Sequence, residues 1–155
     1  MDLPDALAWL VGRWEGEGRG AYPNCADFTY RDEITFTHPR PENPVLAFSE
    51  HTWLLADGSP SHEEAGYLRA TEDGRIELVV AHPLGVVEVH DGAITGHRIE
   101  LVSLAVACAP TAEPVTQMRR TLEQRDDDTL WYQLDMAAND QPLVFHCEAT
   151  LHRAG

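Results

Sequence analysis

Lysine is missing altogether: the eleven basic residues among 155 are all arginine, against 26 acidic ones, for a formal net charge of −15. Without lysine there is no lysine nucleophile and no Schiff base. So little positive charge argues against nucleic acid and anionic membrane as partners, since both need a basic surface. Cysteine is scarce as well. Cys25, Cys108 and Cys147 are an odd number without CxxC spacing, which speaks against a zinc knuckle or a disulfide framework. No run of 18 apolar residues is present, so no spanning helix is expected. The opening Met1-Asp-Leu-Pro-Asp-Ala-Leu-Ala-Trp-Leu-Val-Gly12 lacks a basic n-region and a long apolar h-region, and no signal peptide is expected. These absences together predict a soluble protein of the reducing cytoplasm.

Catalytic signatures are equally sparse. There is no HExxH, and no Cys/His pair at zinc spacing. Ser49, Ser59, Ser61 and Ser103 lack a nucleophile elbow. A glycine-rich stretch near the start is followed by neither GK[ST] nor a helix, so it is no phosphate loop.

What is present is an ordinary globular composition, 43% hydrophobic and 24% charged, in a length that suits one domain over residues 1–155. A chain of this size buries roughly 70% of its unfolded surface and needs no covalent staple. Residues 2–10 predict one short helix, capped by Asp2 or Asp5, with Leu3, Leu7 and Leu10 on one face. After Gly12 the apolar period becomes two and stays there. Asp27–His38 alternates Phe28, Tyr30, Ile34 and Phe36 with polar residues. Asp32 falls in the apolar phase, marking a bulge or a polar group facing a cavity. Further strands are predicted over 44–56, 63–70, 75–82, 85–90, 93–106, 115–124, 129–137 and 143–153. Asp57-Gly58, Asp73-Gly74, Pro83-Leu84-Gly85, Asp91-Gly92 and the Asp126–Asp128 corner read as the turns between them. About ten strands without a crossover helix predict an all-β fold, an antiparallel up-and-down barrel or a sandwich. A barrel that wide leaves an interior cavity, since eight strands already hold a small ligand.

Several features are candidates for chemistry. Gly16, Gly18 and Gly20 share one face with Gly12 and Trp14. Such a face admits a neighbouring backbone, a flat ligand or a sharp bend. Eight histidines are many for this length, and several facing one cavity would make a metal or heme environment. His38 and His82 each end a strand just before proline. His146 lies on the polar phase of the last strand, outward by simple alternation, although a ligand-holding barrel can itself be polar inside. Met136 is in phase with Leu130, Tyr132 and Leu134. It and Met118 face a core or a cavity, where methionine also fills gaps. Glu63-Glu64 and Asp126–Asp128 read as solvated carboxylates. Cys147 adjoins His146, but neighbours on a strand point to opposite faces, so no thiolate–imidazole pair is expected.

In order along nearly the whole chain, several segments resemble the nitrobindin family. These are Leu10-Val-Gly-Arg-Trp-Glu-Gly-Glu-Gly-Arg-Gly-Ala-Tyr-Pro23, Phe36-Thr-His38, Ser61-His-Glu-Glu-Ala-Gly-Tyr-Leu-Arg69 and Glu77-Leu-Val-Val-Ala-His-Pro-Leu-Gly85. Ala109–Thr116, Tyr132-Gln-Leu-Asp-Met136 and Gln141–Arg153 complete the set. The resemblance implies a ten-stranded antiparallel barrel holding heme b through one axial histidine. That position falls on His146 rather than His152. Met136 and His62 fall on cavity positions, and His38 and His82 lie in matching segments; Met118 is a further candidate for contact with the cofactor. The implied activity is isomerisation of peroxynitrite to nitrate by ferric heme, with nitric oxide as a further small-molecule ligand. Cys147 and Glu148 depart from the family, which carries apolar residues there, and strand parity would put Glu148 on the ligand's side. The rival expectation is a non-enzymatic carrier of a fatty acid or other apolar molecule, with Arg119 or Arg120 turned inward for a carboxylate. A heme or nitric-oxide sensor is a third reading, although no output module is visible.

Overall fold

The computed structural model describes residues 3–22 and 25–155. Asp2 and Pro23, together with the side chains of Leu3, Tyr22 and Cys25, lie outside the described residues. The N-terminal segment is a short helix α1 (Leu3–Leu7) that tightens into a 3-10 turn over Ala8–Leu10. Ten strands follow: β1 (Gly12–Tyr22), β2 (Cys25–Thr37), β3 (Val45–Leu54), β4 (Pro60–Ala70) and β5 (Arg75–His82). The second half holds β6 (Val86–Thr95), β7 (Arg98–Cys108), β8 (Val115–Asp126), β9 (Thr129–Ala138) and β10 (Val144–Arg153). Each pairs antiparallel with its sequence neighbours, and β1 pairs with β10, which closes the barrel. Closure removes the exposed edges that an open sheet would present.

Most turns fall where Asp-Gly predicts them: Gly58 and Gly74 adopt φ +73° and +82°, and Gly85, ending Pro83-Leu84-Gly85, has φ +90°. Asp91-Gly92 is the exception. It lies inside β6, where a side chain on Gly92 would meet the Glu100 carbonyl of β7 and Asp91 is held outward by Arg75 at 2.7 Å. The reversal comes instead at Gly96, with φ +59°. The glycine face of β1 serves close packing. A Cβ on Gly16 would sit 2.1 Å from the Thr150 carbonyl oxygen, and one on Gly18 or Gly20 would strike the rings of Tyr30 or Phe28. The aromatic rings of β2 therefore fold across β1 into the lumen.

One end of the barrel is sealed. Leu7, Leu10 and Trp14 pack with Ile34, Phe36, Leu68, Ile76, Ile99, Leu101, Leu130 and Leu151 in a single apolar cluster. Burying a side chain such as Leu7 or Leu10 contributes about 1.5–3 kcal/mol. Trp14 donates its indole N–H to the Leu10 carbonyl at 2.8 Å, and Trp9 stacks on His97 at 5.3 Å between ring centroids. Arg153 lies over the Trp14 ring and donates to the Val11 and Trp9 carbonyls at 2.8 and 3.0 Å. The last strand thus fastens the helical plug by satisfying carbonyls that its end leaves unpaired. No helix among the described residues is long and apolar enough to cross a membrane.

Candidate functional site

Above the plug lies a cavity of about 1270 Å³, larger than the roughly 300–1,000 Å³ of a drug-sized pocket. Its walls include Phe28, Phe48, Val86, Val115, Leu122, Leu134, Met118 and Met136, with His62, His82 and His146. Five of the six sequence-predicted positions therefore meet around one space. His38 does not line it. It follows β2 at the plugged end, where its Nε2 bonds the Asn43 carbonyl at 2.7 Å within the proline-rich loop.

His146 reaches the cavity through a β-bulge. Phe145 pairs with Asp135 and Cys147 with Leu134, leaving His146 as the extra residue. The bulge resets the alternation, so His146 and Cys147 both line the lumen while Glu148 turns outward to Arg19 at 2.9 Å. This corrects two expectations from strict alternation: that His146 and Cys147 point apart, and that Glu148 shares the histidine's side. The Ala21 carbonyl accepts from His146 Nδ1 at 3.2 Å, which sets the tautomer with its lone pair on Nε2. Burial lowers the imidazole pKa, only partly opposed by that hydrogen bond, so the ring stays neutral at pH 7. Cys147 is no nucleophile, because burial pushes its thiol up to about 12.

Below the cavity's apolar rim runs a layer of buried polar groups. Arg120 donates to both Glu64 oxygens, at 2.6 and 3.1 Å, and to both Glu88 oxygens, at 3.2 and 2.8 Å. Glu88 also takes hydrogen bonds from His82 and, at 2.8 Å, from His90. Burial alone would raise both carboxyls, but the Arg120 charge and the imidazole hydrogen bonds outweigh it and hold them below the usual range. On the adjoining wall Tyr132 donates to Asp32 at 2.5 Å and takes a hydrogen bond from Tyr30 at 2.8 Å. Glu50 stands in register with Glu64, and burial together with the Asp32 and Glu64 charges holds it protonated. Asp32 Oδ1 is buried and meets no hydrogen-bond partner among the described residues. Burial raises Asp32 to about 6.

This layer is what sequence reasoning captured least. Glu64 was expected in solvent and is instead buried, while its neighbour Glu63 faces His51 outside. Glu50, Glu88 and His90 were not singled out. Their signal is parity: Glu50 falls in phase with Leu46 and Phe48, and Glu88 with Val86 and His90. Asp32 does face the interior, and of the two adjacent arginines Arg120 is the inward one; Arg119 pairs with Asp135 on the outer face at 2.5 Å.

The barrel is thus closed, plugged at one end, and hollow at the other, with His146 turned into the hollow. Residues 5–153 match the family described as the THAP4-like, heme-binding beta-barrel domain, and the chain belongs to that family. It is 44% identical over 152 residues to "Peroxynitrite isomerase 2" of Mycobacterium avium (strain 104), covering 96% of this chain and 92% of that protein. It is 42% identical over 155 residues to "Peroxynitrite isomerase 1" of Mycobacterium tuberculosis (strain ATCC 25618 / H37Rv), covering 96% and 93%. The crystal structure of Rv2717c from M. tuberculosis superposes with a TM-score of 0.89 at 40% identity, covering 100% of this chain and 99% of that one. An S-type phycobiliprotein lyase from Guillardia theta, at TM-score 0.69 and 10% identity over 100% of this chain and 94% of that one, shares the fold.

Proposed function

We propose that the cavity binds heme b with His146 as its protein axial ligand, and that the ferric protein isomerises peroxynitrite to nitrate and binds nitric oxide. The observation that carries this reading is the bulge at His146, which turns a neutral imidazole, already tied through Nδ1 to a backbone carbonyl, into a large apolar-rimmed cavity. A hydrogen bond from the far ring nitrogen to a backbone carbonyl is a usual way for a protein to orient an imidazole on a metal. The residues fit a porphyrin: Phe28, Leu134, Met118 and Met136 offer apolar contact around the ligand's position. Held there, ferric heme would supply the chemistry that isomerises peroxynitrite to nitrate, with no external electron donor. His146 would hold the iron through Nε2, and burial keeps its ring uncharged. The net charge of −15 slows an anionic substrate rather than steering it. Free Cys108 and Cys147 suit a reducing cytoplasm.

The fatty-acid-carrier alternative needs an inward cation for a carboxylate. Arg120 is inward, but Glu64 and Glu88 already occupy its donors. Hemin titration separates the two readings. Wild-type protein is expected to give a Soret band that shifts with cyanide or nitric oxide. His146→Ala is expected to lose that band, and His152→Ala, on the outer face, to keep it. Peroxynitrite decay should accelerate with the heme-loaded wild type and not with the heme-free chain. A wild type that takes up no hemin would leave the carrier as the better account.

A further inference from the structure

We propose that His62, Glu64 and His82 form a second metal site, for a divalent first-row transition ion of the zinc(II) or iron(II) kind. The barrel order puts β5 five strands from β10 in either direction, with β4 next to β5. The three residues therefore stand across the lumen from His146. Their ligand atoms all lie within 4.8 Å of one another. His62 Nε2 is 3.0 Å from Glu64 Oε2, and His82 Nδ1 is 3.6 Å from the same oxygen. Metal–ligand bonds of about 2.1 Å at tetrahedral angles put neighbouring ligand atoms about 3.4 Å apart. Both distances fall near that value before any ion is present.

The placement of His82 between two carboxylates is the second argument. Its Nε2 is bonded to the Glu88 carboxylate, an interaction made by an N–H. Its other nitrogen, Nδ1, faces Glu64 Oε2 at 3.6 Å, so a carboxylate stands at each ring nitrogen. A metal ion placed between Nδ1 and that oxygen is also within reach of His62 Nε2. The same Glu88 contact is the carboxylate–histidine–metal arrangement that orients imidazole ligands elsewhere.

The surroundings are built to match. Arg120 holds Glu64 Oε1 at 2.6 Å and approaches Oε2 only at 3.1 Å, which leaves Oε2 turned toward the imidazoles. Thr52 Oγ1 accepts from the His62 backbone N–H at 2.9 Å, beside an irregularity in the β3–β4 pairing, and fixes the strand where the ring projects. The formal charges of Glu64, Glu88 and Arg120 sum to one negative charge, which favours a cation beside them. Two histidines and one carboxylate are the donor set of mononuclear zinc hydrolases and non-heme iron(II) sites, and three protein ligands leave a position open. Here that position is for water or an anion in the cavity.

The site is testable without heme. Cobalt(II) added to the purified full-length, heme-free chain should bind one ion per chain with visible d–d bands, and zinc(II) should displace it. His62→Ala and His82→Ala should each abolish the bands. Glu88→Gln should weaken zinc binding about 10–100-fold by loosening His82. His62→Gln, at a half-exposed position, serves if an alanine variant unfolds, with thermal unfolding in chelator as the check. His152→Ala should bind as wild type does. A wild type that binds no stoichiometric cobalt, or binding that survives loss of both His62 and His82, overturns the proposal. Loss of binding in His152→Ala does so as well.

Discussion

The two halves of the lumen are lined by the same ten strands, yet they solve opposite problems. At the plugged end inward positions carry Trp14, Ile34, Phe36, Ile76, Ile99 and Leu151, and packing fills the space. Toward the mouth the same strands turn inward Asp32, Glu50, Glu64, Glu88, His90 and Arg120, and a void remains. The difference teaches that alternation assigns a side but not a polarity. A charged lumen is stable only if each charge is partnered within it, because unpaired burial costs several kcal/mol per ion. Here one guanidinium serves two carboxylates, and the Tyr132 hydroxyl donates to Asp32 beside a Glu50 that burial keeps protonated.

The sharpest way to break this contrast is to remove the central cation. Arg120→Met should destabilise the fold by about 3–5 kcal/mol in urea unfolding, since it strands two buried carboxylates. Adding Glu64→Gln and Glu88→Gln should recover most of that loss; no recovery would mean that the layer is not held by charge pairing. Asp32 gives a smaller effect that depends on pH. Its folded pKa of about 6 exceeds the usual 3.8, so the folded chain binds more protons than the unfolded chain between those values. Its contribution to stability therefore falls as pH rises from about 4 to about 6, by about 3 kcal/mol at most. Asp32→Asn should remove that slope, measured as the difference from wild type across the window. The smallest effect belongs to the packed side of the comparison. Gly16→Val should cost about 1–3 kcal/mol, because its Cβ meets backbone of β10 rather than a movable side chain. A neutral result in thermal unfolding would show that the close approach of β1 and β10 is slack.

Much of the fold was legible because period two and Asp-Gly turns are local signals, and Asp57-Gly58 and Asp73-Gly74 sit where they suggest. Asp91-Gly92 misled because glycine serves two ends. In β6 it admits a neighbouring carbonyl, not a turn, and nothing local separates the cases. The site was legible in part. Residue pattern marked Asp32 and the Arg119-Arg120 pair, and family resemblance marked His62 and His146. Glu64 was hidden by its neighbour, since Glu63-Glu64 looks solvated until Arg120, 56 residues away, is brought against it. His146 was ambiguous for a different reason. A bulge is one residue of extra length, and its location depends on the register with β9, which is not written in β10 itself.

That extra residue gives β10 an unusual kind of fragility. Exchanging one side chain for another near Phe145 leaves the count intact, and with it the facing of everything that follows. Losing or gaining a single residue between Gln141 and Cys147 would change the count instead. The imidazole would then turn to solvent while Ala149 and Leu151 kept their places in the wall. In a survey of variants, the positions flanking His146 should tolerate many spellings and only one length.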